Sequence, residues 1–204
     1  DMMYCNQCEE SLPCTKAGVC GKKPELSDLQ DELIQLVKQM ATESENTSDN
    51  NRFIIDSLFA TITNVNFDPD DLKRRIAVAK RSVTPEPSSD MDPDTRSLKE
   101  TLLYGLKGMA AYLHHAHRLG YTDRSITDFM RSALAASLEQ QSTDELVQLV
   151  LQCGEYGVKT MALLDKAHTE TFGNPEPTTV NRGTRNNPGI LISGHDLKDM
   201  QALL

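Results

Sequence analysis

Four of the five cysteines, Cys5, Cys8, Cys14 and Cys20, fall within sixteen residues near the start of the chain, and Cys153 stands apart. Cys5-x2-Cys8 sets two thiolates on one tight turn, and Cys14 and Cys20 each follow after five intervening residues. Four soft sulfur ligands on a short loop suit tetrahedral zinc or an iron–sulfur cluster. Structural zinc sites usually pair two Cys-x2–4-Cys knuckles, whereas this loop has one knuckle and two dispersed sulfurs, so the spacing favours the wider iron–sulfur cluster. Zinc, disulfides and free thiols stay open as alternatives on spacing alone. Lys16, Lys22 and Lys23 lie in or beside the loop, and Gly18 and Gly21 let backbone amides approach sulfur. Both features offset thiolate charge and raise a reduction potential. For any single lysine, ordinary solvation is the plainer account.

The histidines divide by position. His114, His115 and His117 cluster on a long helical pattern without an obvious carboxylate partner in the motif, which reads as a solvated helix face. His168 follows an expected helix end, where a cation meets the helix dipole favourably. His195 differs, because Gly194-His195-Asp196 directly follows an apolar run, where open α/β sheets place functional side chains.

The elements that must position these groups are mostly helical. Leu26, Leu29, Leu33, Ile34, Leu36, Val37 and Met40 recur at steps of three and four, the period of one helix face. A second pattern covers Phe53 to Ile62, and a third starts at Pro69 behind the capping type Asp68 and runs to about Ser82. Residues 84–93 hold Pro85, Pro87 and Pro93 among Ser and Asp, which reads as an exposed connection. Helical patterns resume through Leu98–Leu113, closing near Gly120, and through Ile126–Leu138 and Leu146–Leu164. The spacing predicts a mainly α chain. A cysteine-rich loop (1–24) leads into one three-helix bundle (25–83), a linker (84–93) and a second three-helix bundle (94–172). Residues 173–204 change character: Gly189 to Ser193 suits a buried strand, followed by a glycine turn and a helix start. That is the incomplete opening of a Rossmann-like α/β domain.

Composition narrows the function. With 21 basic against 30 acidic residues the net charge is −9, which argues against nucleic acid or an anionic membrane surface as partner. No apolar stretch approaches the roughly 20 residues that span a bilayer. No basic, apolar leader precedes Cys5, so a reducing, cytoplasmic setting is expected.

At these residues the sequence resembles the hybrid cluster (prismane) proteins, the hydroxylamine reductases. The matching pieces are Met3-Tyr4-Cys5-Asn6-Gln7-Cys8-Glu9, Cys14 to Lys22, Leu29 to Ile34, Phe59 to Asn66, Tyr104-Gly105-Leu106-Lys107-Gly108, Gly173-Asn174-Pro175 and Ile190 to Asp199. Carbon monoxide dehydrogenases share the architecture, but the cysteine pattern and the Gly-His-Asp-Leu stretch look more like the hybrid cluster group. The resemblance implies that Cys5, Cys8, Cys14 and Cys20 bind an electron-transferring [4Fe-4S] cluster, a smaller two-iron cluster in some members. It implies that His195 is a ligand of a second, hybrid iron–sulfur–oxygen cluster, and that Thr63 lies near that cluster at a catalytic position. The implied reaction is reduction of hydroxylamine to ammonia and water, with a redox electron donor and a small nitrogen compound as partners. The interval between Cys8 and Cys14 is shorter than the family usually has, and Cys153 matches no family ligand and reads as a small core residue. The remaining hybrid-cluster ligands would follow Leu204, so the expectation is an N-terminal part, inactive alone. The competing reading is a non-catalytic electron-transfer or helical interaction module with one cluster.

Overall fold

The structure is a computed structural model and describes residues 2–8, 12–83, 92–194 and 196–204. Seven helices follow in order: α1 (Pro24–Glu43), α2 (Ser48–Ala60), α3 (Pro69–Ala79), α4 (Pro93–Arg118), α5 (Arg124–Ala136), α6 (Thr143–Phe172) and α7 (Leu197–Leu203). Their starts are written in the sequence. Asp68, Asp92, Asp123 and Asp196 each accept a backbone N–H of the following turn, Pro69 and Pro93 open α3 and α4, and Ser142 with Glu145 closes a reciprocal capping box. Among the described residues no helix is long and apolar enough to cross a membrane.

The mainly helical class agrees with the sequence reading, but the two helical groups do not keep separate cores. α4 packs on α6 and on α2, while α1 packs on α3, α2 and α5. Leu33, Val37 and Leu58 from the first half and Leu106, Leu113 and Ile126 from the second belong to one cluster, all of them without solvent contact. A helix with an apolar arc wider than one neighbour covers is buried best by partners from both halves. The expected linker lies largely outside the described residues; its last two, Asp92 and Pro93, already cap and begin α4.

The expected strand is the clearest difference. Residues 189–193 have no strand assignment, and Ile190 and Leu191 are 92% and 96% exposed. A lone extended segment has no neighbour to take its ladder hydrogen bonds or cover its side chains, so its backbone stays with water. Among the described residues the one isolated ladder pairing is antiparallel, between Cys5 and Cys14.

Candidate metal centre

That pairing organises the cysteine loop. Cys5 N–H donates to Cys14 O (3.1 Å), Cys14 N–H to Cys5 O (2.9 Å), and Met3 N–H to Thr15 O (3.0 Å). Directly opposed residues of such a pair present side chains on one face of the ribbon, so Cys5 and Cys14 face the same way. Met3 is buried and anchors the ribbon. The second half of the loop is a tight turn, Gly18 N–H to Lys22 O at 2.8 Å and Gly21 N–H to Gly18 O at 2.9 Å, with Gly21 at φ +88°. A methyl on Gly18 would stand 3.1 Å from Cys20 Sγ and 3.0 Å from Lys22 Cβ, so a side chain there would crowd the space beside that sulfur. All four loop cysteines are free thiols. Among the described residues no three His, Cys, Asp or Glu side chains converge as the shell of a single metal ion. The donor set of four soft sulfurs and the space that Gly18 leaves beside Cys20 fit a thiolate-held metal centre.

The loop is fastened to α4. Tyr104 O–H donates to Asn6 Oδ1 (2.6 Å), and the Asn6 amide donates to Glu100 Oε2 (3.3 Å). Lys107 Nζ reaches Gln7 Oε1 (3.2 Å) and Thr61 O (3.3 Å), and Lys22 Nζ stands 3.7 Å from Cys5 Sγ. Lys22 and Lys107 are 1% and 3% exposed. Burial pulls the Lys107 ammonium down to about 8, with Asp31 opposing and Lys22 adding to the shift. Burial also pushes the Asp31 carboxyl up, against the pull of Lys107 and Lys22, and pushes Tyr104 up to about 12 beside Glu100 and Cys5. Beside the loop stand two buried lysines, the half-buried Tyr104 and the exposed Asp31 carboxyl.

The other expected site residues sit elsewhere on the same scaffold. Thr63 is half-buried in the turn between α2 and α3, just before Asn64 at φ +64°, and two residues from the carbonyl that Lys107 grips. His195 lies outside the described residues. Its neighbour Asp196 accepts from His115 Nδ1 (3.0 Å) and Arg118 Nη1 (3.1 Å), Arg118 Nη2 meets Asp199 Oδ1 (2.6 Å), and the Lys198 amine donates to Arg118 O. The start of α7 is therefore docked at the C-terminal end of α4. Lys107 and His115 are separated by about 12 Å of helix rise, at 1.5 Å per residue.

The sequence profile of the Prismane/CO dehydrogenase family matches residues 3–204. The chain belongs to this family. It is 45% identical to a hydroxylamine reductase of Methanosarcina mazei over 99% of its own length and 45% of the relative's. It is 44% identical to one from Clostridium novyi (99% and 45% covered) and 42% identical to one from Clostridium botulinum (99% and 48%). The chain thus spans about half the length of these curated relatives.

Within this prismane-family chain the histidine cluster needs correcting. His114 is not on a solvated face: its Nδ1 meets Asp56 Oδ1 at 2.8 Å, and its ring stacks on Phe59 at 4.5 Å. His115 is half-buried against Asp196. His117 Nε2 is buried without a hydrogen-bond partner, and burial holds that ring below its ordinary value. The carboxylate partners come from α2 and from the start of α7, far along the chain, so the local motif did not reveal them. His168 lies inside α6, which runs on to Phe172, with its ring 6.1 Å from that of Phe172. Cys153 is the core residue expected: buried, its Sγ 3.8 Å from Met109 Sδ and packed on Gly105. A cavity of about 290 Å³ lined by Asn46, Arg52, His117 and Arg124 contains no cysteine and is separate from the loop. Sequence reading passed over Asp31, Tyr104 and Lys107. The available signal was the polar spacing Glu100, Tyr104, Lys107 on a helix whose other face is apolar, which places all three on one stripe.

Proposed function

We propose that this chain supplies the electron-transferring portion of an iron–sulfur oxidoreductase of the hydroxylamine reductase type. In this reading Cys5, Cys8, Cys14 and Cys20 hold a [4Fe-4S] cluster, and His195 contributes an imidazole to a hybrid iron–sulfur–oxygen cluster near Thr63. The overall reaction takes hydroxylamine, two electrons and two protons to ammonia and water, with electrons from a redox donor in the cytoplasm. The relatives carry the name hydroxylamine reductase and are about twice as long, so turnover is assigned to the full-length protein. When bound, the first cluster would supply reversible one-electron chemistry.

The chain's own residues do the positioning. The Cys5–Cys14 pairing holds two sulfurs on one side of the ribbon, and the turn at Gly18 leaves room beside Cys20. The Lys22 ammonium next to Cys5 compensates thiolate charge. The carrying observation is the loop itself: four free thiols on a ribbon clamped to α4 by Tyr104 and Lys107. Anaerobic isolation of the full-length protein should give a brown product with iron and inorganic sulfide, the iron in excess because the hybrid cluster carries oxygen in place of some sulfide. Cys5→Ser should lose the cluster's paramagnetic signal, and the intact protein should reduce hydroxylamine. Colourless protein with stoichiometric zinc would overturn the cluster assignment. Loaded protein without hydroxylamine turnover would leave an electron-transfer module.

A further inference from the structure

Lys107 lies on α4 with almost no solvent contact, yet the oxygens its ammonium touches, Gln7 Oε1 and Thr61 O, are both uncharged. A buried ammonium without an anion is unfavourable, so the charges around it matter. The groups that face it are Asp31 and Lys38 from α1, and Lys22 and Cys5 from the loop. Asp31 also faces Lys22. Lys38 faces Lys99 and Glu100. Two deeply buried ammoniums, Lys22 and Lys107, therefore face one carboxyl, the solvent-exposed Asp31, which is a deficit of negative charge, and Lys22 Nζ stands 3.7 Å from Cys5 Sγ. Four thiolates around an iron–sulfur cluster carry net negative charge and meet that deficit. Lys107 also joins two pieces of backbone. Gln7 stands between Cys5 and Cys8, and Thr61 opens the turn that contains Thr63.

We infer that Lys107 is a positioning residue that clamps the Cys5–Cys8 turn to the Thr63 turn and whose positive charge raises the reduction potential of the cysteine-loop cluster. The assignment rests on the iron–sulfur reading above. Adding one electron from a single-electron donor makes and breaks no bond at Lys107; it increases the negative charge that the ammonium faces. Removing the ammonium therefore penalises the reduced state more than the oxidised one.

The test is a potentiometric titration of the anaerobically prepared full-length protein, followed by the paramagnetic signal of the reduced cluster. Lys107→Met and Lys107→Gln should lower the reduced-to-oxidised ratio at fixed potential roughly tenfold, a shift of about 59 mV for one electron. Lys107→Arg should restore the wild-type midpoint. Neutral variants that load iron and titrate at the wild-type midpoint would overturn the assignment. If both neutral variants lose iron while Lys107→Arg keeps it, the clamp is supported, because charge and reach at this position then decide assembly. Loss of folded structure in all three variants, read by circular dichroism, overturns it in favour of plain packing. An iron-free wild type removes the cluster reading and this assignment together, whereas a loaded wild type with unshifted neutral variants removes this assignment alone.

Discussion

Asp56 and His114 form a half-buried hydrogen-bonded pair between α2 and α4, with His114 Nδ1 at 2.8 Å from Asp56 Oδ1. Burial pushes the Asp56 carboxyl up, but the hydrogen bond and charge of His114, with Arg52 and Arg75 nearby, hold it below its ordinary 3.8. A depressed carboxylate stabilises the fold at pH above its ordinary value, and that contribution fades as the pH falls through the folded-state value. Asp56→Asn should therefore cost about 1–2 kcal/mol at pH 7. The difference from wild type should shrink as the medium is taken below about pH 4. Urea unfolding at neutral and acid pH checks this, and a pH-independent difference would show that packing, not charge, is at stake. Residue types and spacing made the cysteine loop legible as a candidate site, because its four thiols lie close together in the chain. Asp56 and Lys107 stayed hidden for the opposite reason: their partners come from distant parts of the chain, and local spacing carries no record of that contact.

At the scale of elements, the contact between α4 and α6 turns on Gly105 and Cys153. A methyl on Gly105 would stand 2.7 Å from Cys153 Sγ, closer than side chains tolerate. Gly105→Ala should destabilise the protein by about 1–3 kcal/mol through overpacking. Adding Cys153→Ala should recover much of that loss, a coupling that a double-mutant cycle measures by urea midpoints. Additive effects would show that the two positions do not meet. The helices were readable from their periods and their Asp, Ser and Pro starts, since caps are local chemistry. The run 189–193 carries no strand pairing in the structure, because an apolar run specifies burial only where a neighbour exists to provide it. The shared cluster of α1–α6 was not legible, because periodicity marks which face is apolar and leaves open which helix covers it.

For the molecule as a whole, α4 is the helix to which both the cysteine loop and the segment around Asp196 are tied. Its polar stripe holds the cysteine loop through Glu100, Tyr104 and Lys107, and holds the segment around Asp196 through His115 and Arg118. Arg118→Ala should free α7, speeding hydrogen exchange at the Met200 and Leu204 amides about tenfold, for a loss of roughly 1.5 kcal/mol. Amides in α1 to α6 should keep their protection. Unchanged exchange at Met200 would show that Lys198 alone retains the tail. Tyr104 and His115, like Lys107 and Arg118, are eleven residues apart, close to three whole turns, which is why both attachments share a meridian of the helix. One amino acid added between Lys107 and His115 would rotate the far anchorage by about 100° and advance it about 1.5 Å. The loop and the tail would then dock on different sides of the molecule, with every contact-forming side chain still present. The helix acts as an indexed shaft, and its phase is as much a part of the site as any ligand it carries.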